Sequence, residues 1–356
     1  MIAAHPSTIL ITGGSGFFGT NAAEWFRKAQ GSRVVCTSSH PEKYAAFAPV
    51  HRSLQDNPLI KADVLDVSSL LECFEKIAPE YIIHAAAYSV PLLCEKDPEH
   101  TFRVNVGGTE NILQAAEKLD IPLVFLSTDL VFKGDRAVER EGAYTELMPL
   151  DAEIVYGKSK IAAERVLQES SFRKWIILRT SLMFGGRVAW AKGFPQFAID
   201  MLKTQQPATL FYDQYRTPTY IADIAEAIHC LVENSVENSV EMSDTLWKSC
   251  GKHDENVLAG VCTQKNLAIA GEIFHCGGAE RMNRVEFVRR CCAVLGVDSA
   301  QIVVKSMNDV PDYTTRVCDV SLDSTKLTTR IQWKQTALES AFQEMSSSFD
   351  TTFDDK

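Results

Sequence analysis

The chain has no excess of basic charge. Its 356 residues carry 36 Lys and Arg against 46 Asp and Glu, a net charge of −10 at pH 7. That argues against a nucleic-acid polymer as partner, because such binders usually present a basic face that neutralises phosphates. No apolar run reaches the length of a bilayer span, and the opening MIAAHPSTILITGG has no basic region ahead of a long hydrophobic stretch. The expectation is a soluble, cytoplasmic protein with no membrane partner. No C-x-x-C occurs among the ten cysteines, and without a secretory signal they read as small buried hydrophobes rather than a disulfide framework. Cys250, His253 and Cys262 come nearest to a metal cluster, but a fourth tetrahedral ligand is missing, so no metal site is assigned.

What is present is a core-forming composition, 46% hydrophobic, in a rhythm of apolar runs and amphipathic stretches. TILIT, NAAEWFRKA, RVVCT, LLECFEKI, YIIHAAA, TENILQAAEKL, PLVFLS, the helix after YGKSK, and WIILRT alternate strand with helix. This predicts an α/β fold, a doubly wound parallel sheet over residues 1–180, with ligands at the carboxyl ends of its strands. Residues 181–340 form a smaller C-terminal substrate lobe interleaved with the end of the first domain, with EIFHCGG and NRVEFVRRCCAVLG closing that lobe. The tandem VENSVENSVE and its polar continuation mark a surface insertion over 233–268. Residues 345–356 read as a frayed tail.

In TILITGGSGFFG, Gly14, Gly16 and Gly19 stand in G-x-G-x-x-G register between a strand and a helix, and Gly13, Gly16 and Gly19 also fit G-x-x-G-x-x-G. Glycines there permit a tight turn and let backbone amides approach a pyrophosphate. Ser15, Phe17 and Phe18 belong to the same loop. An acid about 20 residues on normally grips the ribose of NAD; this chain has Thr37-Ser38-Ser39-His40. Those hydroxyls, with His40 and Lys43, suit a 2′-phosphate, which favours NADP(H) over NAD(H). Asp63 and its neighbour Val64 are candidates for the adenine edge, whereas Asp66 reads as a helix cap.

The ordered segments TGGSGFFG, HAAAY, LSTDLVFKG, YGKSK and LRTSLMFG resemble an extended short-chain dehydrogenase/reductase (Rossmann type). DQYRTPTYIADIA narrows the resemblance to the dTDP-4-dehydrorhamnose reductase family, whose relatives include the regulatory beta subunit of methionine adenosyltransferase. The resemblance implies Tyr156 as proton donor, Lys160 as its activator and holder of the nicotinamide ribose, and Thr128 as the hydroxyl that polarises a substrate carbonyl, with Ser127 facing away. Residues four apart share a helix face, and a neighbouring ammonium should bring the phenol down toward working pH. Asn105 matches a residue that props the catalytic helix. Ala85, Ala86 and Ala87 offer the cofactor a surface free of bulk, and Thr180 and Ser181 lie where the family passes the nicotinamide.

A nucleotide-sugar substrate needs its diphosphate neutralised, which guanidinium groups do bidentately. Arg216, Arg281 and Arg316 are the candidates, although Val317 stands where the family more often has proline. Three functions follow: reduction of a nucleotide-linked keto-sugar, a non-catalytic NADP-binding regulatory subunit partnered with a methionine adenosyltransferase, and a nucleotide-sugar epimerase or dehydratase. A homodimer is the default assembly for such folds.

Overall fold

The structure, a computed structural model, describes residues 7–47, 58–135, 142–191, 193–232, 271–310 and 317–349. The predicted insertion and residues 350–356 lie outside them. β1 (Thr8–Thr12), α1 (Phe17–Gln30), β2 (Arg33–Ser38), β3 (Ile60–Lys61), α2 (Val67–Ile77), β4 (Tyr81–His84), α3 (Pro91–Lys96) and α4 (Pro98–Phe102) follow in order. A π-turn at Arg103–Gly107 leads into α5 (Gly108–Lys118), then β5 (Leu123–Thr128), α6 (Val155–Glu169) and β6 (Trp175–Thr180).

These strands form the parallel sheet that the alternating pattern predicts, in the order β3-β2-β1-β4-β5-β6. The order reverses between β1 and β4, so the crevice for a ligand opens at their carboxyl ends. Apolar residues on both sides of each strand explain why. Ile9 and Ile11 pack with Phe26 and Ile228 on one face, while Leu10 packs with Phe74 and Ile112 on the other. β5 and β6 are buried along their whole length, as strands covered on both faces must be.

The boundary with the second lobe differs from the sequence expectation. EIFHC does not close the smaller lobe: as the strand Glu272–Cys276 it pairs parallel with β6 as the seventh strand of the main sheet. The helix over 221–232 also returns to the main core through Ile221, Ile224 and Ile228. The lobe proper gathers around Phe184, Phe194, Phe287 and Phe342, with edge-to-face and stacked ring contacts such as Phe184–Phe287 at 5.2 Å. The expected frayed tail is also corrected. The helix Leu338–Phe349 covers its first residues, and Met345 is buried against this aromatic cluster, because residues 338, 341, 342 and 345 present one apolar face. Among the described residues no helix is long and apolar enough to cross a membrane.

Candidate active site

The turn between β1 and α1 is built from close backbone approaches. Gly13 has φ +67°, and a Cβ there would lie 2.7 Å from the Ala86 backbone. One on Gly14 would lie 2.3 Å from Cys36 Cβ in β2, and one on Gly19 would lie 2.6 Å from the Gly13 carbonyl. The glycine register therefore serves packing at three positions, and with it the turn stays flat beside the small Ala85–Ala86 backbone. Gly16 caps α1 with no side-chain hydrogen bond, and no acid occupies the helix's first turn. That leaves amides and a positive helix end to meet a phosphate, so the turn fits a dinucleotide. Phe17 and Phe18 contribute only backbone there: Phe18 is buried in the core and Phe17 packs against it, at a contact closed by Gly193. Trp190 reaches over the loop, donating Nε1–H to the Ser15 carbonyl at 2.7 Å.

At the end of β2, Ser15 Oγ donates to Ser38 Oγ (3.3 Å), and Ser38 accepts the His40 amide (3.2 Å). Ser39 is half-buried and His40 exposed. His40 Nδ1 lies 3.1 Å from Glu42, so an acid that the sequence reading did not weigh shares the proposed 2′-phosphate pocket. Asp63 accepts the Leu65 amide at 3.0 Å, Asp66 caps α2 as expected, and the Val64 carbonyl accepts from Asn111.

The candidate catalytic residues converge where β5, α6 and the π-turn meet. Asn105 donates to Ser159 Oγ (2.9 Å) and to the Tyr88 carbonyl (3.0 Å), and accepts the Tyr88 amide (2.7 Å). It ties the segment after β4 to α6, and its polar atoms are engaged within the protein. Thr128 closes β5; its Oγ1 donates to Asp129 (3.2 Å) and accepts the Leu130 amide (3.2 Å), and it lines one cavity with Tyr156. Thr180, paired with Thr128 across β5 and β6, donates to the Ser127 carbonyl at 3.1 Å. Ser127 does face away, donating to Glu164 at 2.5 Å.

The electrostatics differ from the expectation. The Tyr156 phenol is pushed up, first by burial and then by the Asp129 carboxylate and Cys94, with the Thr128 hydrogen bond opposing. Lys160, its Nζ 3.8 Å from the centre of the Phe125 ring, is itself pushed down to about 7 by burial, against the pull of Glu164. Exclusion of water penalises every charged form in the site and outweighs attraction within the pair. Beside them His84 is held neutral, pushed down to about 3 by burial and by Lys160. Thr109 donates to the Asn105 carbonyl, so the His84 proton belongs on Nε2, toward Thr109 (3.2 Å), and Nδ1 accepts from Thr12 (2.7 Å).

Of the three arginines, Arg316 lies outside the described residues. Arg281 donates to Asp319 at 2.7 Å and stacks over Tyr215. Arg216 lines the cavity, but its guanidinium is buried and committed. It donates to the carbonyls of Tyr215 (2.6 Å), Val317 (3.1 Å) and Cys318 (3.3 Å) and stands 3.5 Å from Asp129. Asp129 also accepts from Ser181 at 2.8 Å; burial pushes its carboxyl up although Arg216, Ser181, Thr128 and Arg284 all favour the charge. A cavity of about 200 Å³ opens among Thr128, Asp129, Tyr156, Ser181, Arg216 and Arg284. Arg284 was missed, and nothing local marks it. Asp129, beside Thr128 in the STD signature, is legible in the sequence, but its pairing with Arg216 and Ser181 is not.

This arrangement can bind a dinucleotide at the glycine turn and present a phenol and a hydroxyl to a ligand in the neighbouring cavity. The family model described as the RmlD substrate binding domain matches residues 7–253. The dTDP-4-dehydrorhamnose reductase of Aggregatibacter actinomycetemcomitans is 31% identical over 174 residues, 49% of this chain and 56% of that protein. Methionine adenosyltransferase 2 subunit beta of Xenopus laevis is 26% identical over 230 residues, 64% of this chain and 63% of that protein. The chain thus aligns with little more than half the length of these relatives. The crystal structure of the Bacillus anthracis dTDP-4-dehydrorhamnose reductase in complex with NADP superimposes with a TM-score of 0.71 at 20% identity, covering 96% of this chain and 99% of that one. With the family model spanning most of the chain, the protein belongs to the RmlD substrate binding domain family of extended short-chain dehydrogenase/reductases.

Proposed function

We propose that the protein is an NADPH-dependent reductase of a nucleotide-linked 4-keto-6-deoxy sugar. The observation that carries this reading is the convergence of Tyr156 and Thr128 on the lining of one cavity at the carboxyl edge of the sheet. NADPH, when bound, supplies a hydride; NADH is the second choice, because β2 ends in Ser38 and its neighbours rather than in an acid. Thr128 orients the keto oxygen through its hydroxyl. Tyr156 gives the proton from its Oη to the developing alkoxide, and the raised phenol keeps that proton available across neutral pH. Lys160 holds the nicotinamide ribose in its ammonium form. Arg284 supplies positive charge along the cavity wall that a nucleotide diphosphate requires, with Arg216 behind it held by Asp129. The test is to mix the protein with NADPH and a dTDP- or UDP-4-keto-6-deoxy sugar and follow loss of NADPH absorbance. Oxidation that disappears in Tyr156→Phe supports the reading; oxidation that survives this change removes it.

A second reading is supported by the longer alignment, 230 residues with the methionine adenosyltransferase subunit against 174 with the reductase. In it the protein holds NADP as a non-catalytic subunit of a methionine adenosyltransferase. Stable co-purification with that enzyme, together with no turnover on any keto-sugar, would favour this second role.

A further inference from the structure

The most heavily buried charge cluster of the described residues stands behind the site, not in it. Glu164 is fully buried, two turns along α6 from Tyr156 and one from Lys160. Its Oε1 accepts from Ser127 Oγ (2.5 Å) and Arg179 Nε (3.0 Å), and its Oε2 accepts from Arg179 Nη2 (2.7 Å). Arg179 continues to His275 Nε2 (3.3 Å), whose Nδ1 faces the Tyr144 carbonyl (3.0 Å). Ser127 and Arg179 are partners across β5 and β6 and immediately precede the paired Thr128 and Thr180. One carboxylate therefore fixes the helix of Tyr156 and Lys160 to the strand residues that carry the site's hydroxyls. We propose that Glu164 is a positioning residue that sets this helix against both strand ends and supplies the counter-charge of Lys160.

The surroundings leave Glu164 as the group suited to that task. On its own helix Lys160 has Tyr156 and Glu164; from β4 comes His84, neutral through burial; from β6 comes Arg179, bound to Glu164. Asp129 and Cys94 act on Tyr156, and Glu95 of α3 is spent on the Val155 amide at 2.7 Å. Among these, Glu164 is the group that favours the charged form of Lys160. The inference rests on the proposed dinucleotide chemistry, since an ammonium at Lys160 is needed there to hold a ribose.

Removing one member of a buried pair leaves an uncompensated charge, whereas replacing both by apolar groups of similar volume is often tolerated. The deciding variant is therefore Glu164→Met with Arg179→Met, beside Glu164→Gln, with the thermal midpoint as the check on folding. The direct readout is a titration of ¹³Cε-labelled lysines by NMR. In the unmodified protein one resonance, absent in Lys160→Met, should titrate near pH 7, far below the surface lysines. In the double variant it should move down by about one pH unit, and the NADPH dissociation constant at pH 7.5 should rise about tenfold or more. A folded double variant whose Lys160 titration and NADPH affinity are unchanged overturns the proposal and leaves Glu164 as plain scaffold. Absence of NADPH binding in the unmodified protein would instead overturn the dinucleotide reading, while the lysine titration still decides the role of Glu164.

Discussion

The two halves of the sheet's carboxyl edge are made in opposite ways. The cofactor half, from β1 to β2, is shaped by what its residues lack: Gly13, Gly14 and Gly19 have no Cβ where a backbone or Cys36 lies within 3 Å, and α1 begins without an acid or a side-chain cap. The half proposed as catalytic, from β5 to β6, is shaped by buried charge: Asp129 with Arg216, Glu164 with Arg179, and Lys160 beside an aromatic ring one turn from Glu164. Small size at fixed local spacing suffices for the first. The second depends on partners distant in sequence, and each charge is tolerable only because its partner arrives.

Tyr156→Phe sharpens the contrast most. It removes the proposed proton donor while leaving the glycine turn untouched, so the turnover number should fall by about 10²- to 10⁴-fold with NADPH binding within about twofold of the original by calorimetry. A comparable loss of binding would mean that the two halves are not separable. Arg216→Ala comes next: it strands the buried Asp129 and frees three carbonyls, which should cost about 3–5 kcal/mol in urea unfolding. A cost below about 1 kcal/mol would show that the pair is better solvated than its burial implies.

Acid is the third lever. His84 titrates at about 3 in the folded protein, below an ordinary histidine at 6.5, so the unfolded chain binds the proton first. No proton-linked cost arises above pH 6.5; below it stability should fall by about 1.4 kcal/mol per pH unit from this group, continuing toward pH 3. His275, held down to about 3 by burial and Arg179, adds in the same window. His84→Asn should flatten the stability profile between pH 6.5 and 5 by about 2 kcal/mol; an unchanged slope would locate acid sensitivity elsewhere. The smallest effect separates two glycines. Gly14→Ala meets Cys36 and should cost about 1–3 kcal/mol through overpacking, along with NADPH affinity. Gly31→Ala, at φ +62° in open space, should cost about 1 kcal/mol and leave NADPH binding alone.

Much of the architecture was legible because parallel strands buried on both faces appear as continuous apolar runs, and TILIT, YIIH, LVFLST and WIILRT all became strands of one sheet. EIFHC was misassigned since a short apolar run carries no mark of which sheet it joins; its pairing with β6 is a contact across nearly a hundred residues. Thr128, Tyr156 and Lys160 were legible as candidates from motif order, and the structure brings Thr128 and Tyr156 to one cavity. The direction of the Tyr156 shift was not, because desolvation depends on what surrounds the phenol rather than on the lysine one turn away.

The sequence by itself determined the sheet, the glycine turn and the candidate residues at the end of β5 and the start of α6, since each depends on periodicity or on local spacing along the chain. Only the tertiary structure decided that Arg216 is bound to Asp129 and to the backbone of residues 317–318, and that Glu164 stands behind Lys160 with Arg179. The physical reason is that the energy of a charge is fixed by its burial and its nearest partners, and both exist only after distant segments have packed together.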